Sequence, residues 1–229
     1  MLQISDNVYQ IPLGGVNAFL IEDNGLTLVD TGYKGSGDKI FDDIKKGGKN
    51  PNDIRQIILT HSHPDHAGSA YELKTKLKVP VYAHTEDADL IRQGIAGRMP
   101  FVLSPGVANW LLFNLIIKRG KNEVDPFQVN HLIDDNDVIP IAGGIHVIHT
   151  PGHSKGHVAL HVKNEGVMIC ADICANMIGL DLSTVYEDRA LGIESIQKTA
   201  AFDFNKALFG HGKPLMKDAN KKLKEKFGG

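Results

Sequence analysis

The chain has 229 residues, 42% hydrophobic and 23% charged, the balance of a folded protein that buries a sizeable core. Its 25 Lys and Arg against 27 Asp and Glu leave a formal net charge of −2, which argues against nucleic-acid binding driven by bulk charge. The only cysteines are Cys170 and Cys174, the first six residues carry neither a basic head nor an apolar run, and no apolar stretch nears the roughly 18 residues of a membrane span; a cytoplasmic protein without a disulfide framework, signal peptide or transmembrane segment is expected.

Short strands come first, over residues 7–12, 17–22 and 26–29, the last two joined by the turn Asp23-Asn24-Gly25. Residues 36–46 read as a helix with Ser36 as N-cap, with Ile40, Phe41 and Ile44 on one face and Gly47-Gly48 as the stop. Ile57-Ile58-Leu59 is long enough for a buried strand and runs into His61-Ser62-His63-Pro64-Asp65-His66. A helix follows with Ala70, Leu73 and Leu77 inward, then a strand over 79–83 and a helix capped by Thr85.

Residues 94–127 break this rhythm. They hold Pro100, Pro105 and Pro126 and an apolar segment, 107–117, interrupted only by Asn109 and Asn114 and followed by Lys118, Arg119 and Lys121. The region is expected as a helical insertion within a single domain spanning 1–229. Three roles suit the apolar segment: packing on the core or on a second copy in a homodimer, a lid over a substrate pocket, or a dip into a membrane surface. Strands then return over 144–149, 158–162 and 167–170. A helix over 193–201, a strand over 207–209 and a terminal helical face of Leu215, Ala219, Leu223 and Phe227 complete the chain. This order implies sheets in the middle and helices outside.

Three histidines and an aspartate crowd the six residues from His61 to His66. Imidazole nitrogens and carboxylate oxygens are ligands for Zn, and for Fe or Mn in related sites. Pro64 keeps His63 out of the helical region. Four candidate ligands crowd so short a segment that one tetrahedral ion could not easily use them all, so the spacing hints at two ions. Further candidates stand at later turns and strand ends: His153 in Thr150-Pro151-Gly152-His153, Asp172 after the strand at 167–170, and His211 between Gly210 and Gly212. His157, His84, His131, His146, His149 and His161 read instead as packed, supporting or solvent-facing residues, and Cys170 and Cys174 as buried small hydrophobes.

The set His-x-His-x-Asp-His, a Gly-His turn, an Asp after a strand and a late His resembles the metallo-β-lactamase superfamily over nearly the whole chain. The resemblance implies an α/β (α+β) four-layer αββα sandwich with a two-metal site on one edge of the sheets. It places His61, His63 and His153 on the first ion and Asp65, His66 and His211 on the second, with Asp172 bridging and Asp30 orienting the His-rich loop from behind. It also implies a metal-dependent hydrolase that uses a metal-bridging hydroxide, with Asp65 relaying a proton, on a small ester, thioester, lactone or amide substrate. The cofactors expected are two divalent metal ions, zinc first, with Fe or Mn as alternatives. No cysteine occupies the Asp172 position. Ala175 stands where lactonases of the family carry a tyrosine, which leaves Tyr33 and Tyr186 as substitutes. A nuclease or phosphodiesterase of the same fold, and a metal-binding module without turnover, are the alternative functions.

Overall fold

The computed structural model describes residues 1–228. The first half comprises β1 (Leu2–Gln3), β2 (Val8–Pro12), β3 (Asn17–Glu22), β4 (Leu26–Val29), α1 (Gly37–Lys46), β5 (Ile54–Ile58), α2 (Pro64–Ala67), α3 (Ala70–Leu77), β6 (Val81–His84) and α4 (Thr85–Gln93). Then come β7 (Val102–Leu103), α5 (Val107–Leu115), β8 (His131–Ile133), β9 (Val138–Ile139), β10 (Ile145–His149), β11 (Val158–Val162) and β12 (Val167–Ala171). The chain closes with β13 (Cys174–Asn176), β14 (Leu180–Leu182), β15 (Val185–Tyr186), α6 (Arg189–Ala200), β16 (Lys206–Phe209) and α7 (Ala219–Phe227).

Two sheets form the centre. One has the order β1-β2-β3-β4-β5-β6-β8, the other β16-β12-β11-β10-β9, and two small ribbons pair β13 with β14 and β15 with β7. Alternation along each strand builds the layers, because successive side chains point to opposite faces. On β3, Phe19 and Ile21 face the second sheet while Ala18 and Leu20 face the helices. On β11, Val158, Leu160 and Val162 enter the same inter-sheet core and Ala159 points to the other side. Ile40, Phe41 and Ile44 of α1, Leu73 of α3 and Ile91 of α4 cover the first sheet. Ile196 of α6 and Leu223 of α7 cover the second. Three cores separate four layers, the αββα sandwich expected from the sequence.

Several local expectations are corrected. Ser36 precedes α1, but its backbone is already helical (φ −74°, ψ −10°) and its side chain caps nothing, since a cap needs an extended backbone to aim its oxygen back at the helix. Thr85 is the first residue of α4, not its cap. His84 takes that role, its Nδ1 accepting from the Glu86 amide at 3.2 Å. Leu215 is not helical: it pairs with Ala207 through two 2.9 Å backbone bonds, and α7 starts four residues later. The 94–127 excursion holds the helix α5 and a short 3-10 turn at Ile117–Arg119. No residue of α5 is fully buried, and none belongs to the three cores.

Candidate metal centre

The His-rich segment leaves β5 at the sheet edge and turns into α2 at Pro64. His63 is extended (φ −59°, ψ 153°), as a residue before proline must be. Two buried carboxylates fix this loop from behind. Asp30, just beyond β4, accepts from the Thr60 amide at 2.8 Å with one oxygen; the other takes the Thr60 hydroxyl at 2.7 Å and lies 2.8 Å from His66 Nδ1. Asp87 of α4 accepts from the Ser62 amide, the Ser154 hydroxyl and the Gly156 amide at 2.7–3.1 Å. It therefore ties the His61–His66 loop to the turn that bears His153.

The second sheet supplies the other residues. His153 sits in the turn between β10 and β11, its Nδ1 donating to the Val185 carbonyl at 2.9 Å. Asp172 follows a register shift in the β12–β16 pairing and a left-handed Ala171 (φ 46°), which together swing the chain out of the sheet. The Asp172 amide donates to His157 Nε2 at 3.2 Å, and the His157 ring is held in turn by Thr150 Oγ1 at 2.8 Å. His157 is thus a support for Asp172, as read from the sequence. Glycine is required before His211: a Cβ on Gly210 would lie 1.9 Å from Asp172 Oδ1. The His211 loop is also tied to the N-terminal hairpin. Gly15 O accepts from His211 Nδ1 at 2.7 Å, and the Asn17 amide group donates to Phe209 O and Gly212 O at 2.9 Å each.

These segments bring all seven expected side chains together in two adjoining groups. His61, His63 and His153 make one, with His153 Nε2 2.9 Å from His63 Nδ1. Asp65, His66, Asp172 and His211 make the other. Asp172 spans both. Its Oδ1 lies 3.4 Å from His66 Nε2, and its Oδ2 lies 3.1 Å from His211 Nε2 and 3.5 Å from His153 Nε2. Asp65 Oδ2 is 3.1 Å from His211 Nε2.

The bonding of each ring tests whether this cage suits cations. In His66, His153 and His211 the Nδ1 meets a carboxylate or carbonyl oxygen, which leaves Nε2 as the atom facing inward. His61 does the same through Thr60 Oγ1 at 3.1 Å, the hydroxyl proton being directed to Asp30. The Nε2 atoms of His61 and His66 and Oδ1 of Asp172 are buried without a hydrogen-bond partner. Buried polar atoms without partners are costly; a cation in the first group would satisfy His61 Nε2, and one in the second would satisfy His66 Nε2 and Asp172 Oδ1. Burial, with His66 and His63 adding to it, holds His61 well below the ordinary imidazole value; burial and His63 push His153 down to about 3. Burial disfavours charge on His66 and His211 too, but the carboxylates of Asp172 and Asp65 hold both well above the ordinary value. The cage is therefore built to hold positive charge beside two ionised carboxylates. The residues fit divalent metal.

Asp87, Gly15 and Asn17 were missed in the sequence. Asp87 stands in the first turn of α4, where an acid is ordinary, and nothing near it in the sequence signals contact with residues 67 and 69 positions away. Tyr186 is unavailable as a substitute for the lactonase tyrosine, because its hydroxyl donates to Ile173 O at 2.6 Å and accepts from the Ser183 amide at 3.0 Å. Tyr33 is half exposed, and Asp65, His211 and Asp172 all act on its phenol.

A desolvated cage of imidazoles and carboxylates on the edge of an αββα sandwich defines a metallo-hydrolase. The family model of the metallo-beta-lactamase superfamily matches residues 11–211, and the chain belongs to that superfamily. It is 31% identical over 172 residues to the probable metallo-hydrolase YqgX of Bacillus subtilis, covering 72% of this chain and 69% of that protein. It is 25% identical over 224 residues to the probable metallo-hydrolase YflN of the same organism, covering 91% and 81%. A metallo-beta-lactamase family protein of Thermus thermophilus superposes with a TM-score of 0.70 at 24% identity, over 96% of this chain and 77% of that one. A subclass B3 metallo-beta-lactamase of Bradyrhizobium japonicum gives 0.67 at 22%, over 92% and 76%; both likenesses show the fold.

Proposed function

We propose that the chain hydrolyses an ester, thioester, lactone or amide bond in a small molecule, with two zinc ions held by His61, His63 and His153 on one side and by Asp65, His66 and His211 on the other. The observation that carries this reading is Asp172, whose two oxygens reach into both groups. Bound divalent ions supply Lewis acidity, which polarises a scissile carbonyl and acidifies water. The protein's own groups do the rest. Asp30 and Asp87 hold the His-rich loop in place, so the ligands need no rearrangement when substrate arrives. Asp65 is more open to solvent than Asp172, and its carboxylate is the group we assign to relay a proton. Burial, with Asp65 next, raises the pKa of the Tyr33 phenol. Tyr33 therefore stays protonated at neutral pH and offers an O–H to a substrate oxygen at the mouth of the site.

The test pairs metal analysis with a substrate panel. Purified protein should carry two metal equivalents per chain and turn over at least one activated ester, thioester or lactone. His63→Ala should lose at least one equivalent together with that activity. Fully loaded protein inert on the whole panel, yet cleaving an activated phosphodiester, would transfer the assignment to phosphodiester hydrolysis.

A further inference from the structure

The 94–127 excursion is fastened to the metal centre but shows an apolar surface outward. Phe101 meets the His63 ring edge-on at 5.6 Å. β7 pairs with β15, placing Leu103 opposite Val185, whose carbonyl takes the His153 Nδ1 proton. Beyond β7, α5 leaves all three cores. Val107 is 76% exposed, Trp110 54% and Ile116 58%. No charged residue occurs from Phe101 to Ile117, and Lys118 and Arg119 follow at once.

Two features distinguish α5 from a helix made to face water. Its two asparagines are satisfied within the protein: Asn109 donates to Pro105 O and Asn114 to Trp110 O, both at 2.8 Å, and Asn109 Oδ1 accepts from the Thr184 hydroxyl at 3.2 Å. That leaves few free polar groups on its surface, as a medium without water requires. The helix is also apolar on every side. Leu112 and Phe113 are half-buried, and Val107, Trp110, Leu111, Leu115 and Ile116 remain exposed, more apolar surface than a helix that faces water presents. At nine residues α5 is too short to cross a bilayer, and no helix among the described residues is long and apolar enough to do so.

The C-terminal end adds charge of one sign. Lys118 and Arg119 are exposed and make no ion pair among the described residues, unlike Lys121, which pairs with Glu123 at 3.1 Å. Unpaired cations next to an inserted apolar helix complement anionic lipid headgroups. Trp110, with its apolar body and polar N–H, suits the boundary between headgroups and chains. From these observations we propose that α5 docks the protein on an anionic phospholipid surface, inserting its apolar side chains shallowly, with Lys118 and Arg119 against the headgroups. The metal centre is thereby held beside the membrane, where amphiphilic substrates concentrate.

Trp110 is the only tryptophan of the chain, so its fluorescence reports on α5 alone. The full-length protein is mixed with vesicles of phosphatidylcholine alone, or of phosphatidylcholine with phosphatidylglycerol, and followed by emission and by co-sedimentation. On the anionic vesicles emission shifts to shorter wavelength and protein sediments with lipid; on the neutral ones both effects are weaker. Lys118→Gln and Arg119→Gln each weaken anionic binding about fivefold. Leu111→Asp and Ile116→Asp abolish insertion while metal content stays at the wild-type level. An unchanged emission with no co-sedimentation overturns the proposal. Binding insensitive to Leu111→Asp overturns it too, since bulk charge would then be responsible. A dimer in solution that buries Trp110 and ignores vesicles would assign the surface to a second copy of the chain.

Discussion

Both carboxylate oxygens of Asp30 are used inside the protein, on the Thr60 amide, the Thr60 hydroxyl and His66 Nδ1. Asp30→Asn keeps the shape and tolerates the left-handed backbone (φ 59°), but its amide nitrogen cannot accept a hydrogen bond. The variant should fold and should bind metal at the Asp65–His66–His211 group roughly 10–100-fold more weakly, as measured by competition with a chromophoric chelator. Wild-type affinity in this variant would show that Asp30 has no orienting role. At this scale the sequence is legible where ligands are contiguous. His61 to His66 announce themselves because four metal-binding side chains share one turn. Asp87 and Gly15 do not, since their roles exist only once distant segments meet; Gly15 acts on a ring 196 positions away.

Elements with clean periodicity were the easiest to read. The spacing of Ile40, Phe41 and Ile44 placed α1, and short apolar runs placed β3 and β11. The start of α6 was hidden, because Gly192 reads as a helix breaker. The structure explains that glycine: a Cβ there would lie 2.5 Å from the Tyr186 ring. Helix α6 therefore begins at Arg189, capped by Asp188, which accepts from the Leu191 amide at 3.0 Å. Asp188→Ala should lower stability by about 1 kcal/mol in urea unfolding. Metal content should be unchanged, because the Asp188 amide, which holds Gly152 O at 2.9 Å beside His153, survives the substitution. Loss of metal in this variant would mean that the cap also shapes the site.

For the whole molecule, the αββα sandwich was implied by the family resemblance, while sheets inside and helices outside follow from the order of the elements, which is visible in the sequence. The β13–β14 and β15–β7 ribbons were not, because strands of two or three residues carry too little pattern to stand out from loops. The candidate centre draws on β5, α2, the β10–β11 turn, the end of β12 and the end of β16, so ions bound there would bind only the assembled protein. Ligands selective for the native state raise apparent stability by mass action. Chelation should therefore lower the melting temperature, re-addition of zinc should restore it, and Asp172→Asn should shrink the effect. A melting temperature indifferent to chelator would mean that no ion contributes to the fold.

Neither sheet alone carries a complete set for either group. The first offers His61 and His63 to one and Asp65 and His66 to the other, while His153, Asp172 and His211 arrive from across the inter-sheet core. The centre thus gauges alignment between the two halves of the sandwich. Slippage by a single residue, about 3.3 Å along a strand, would part every imidazole from its counterpart, so misfolded chains with both sheets formed would still be catalytically silent.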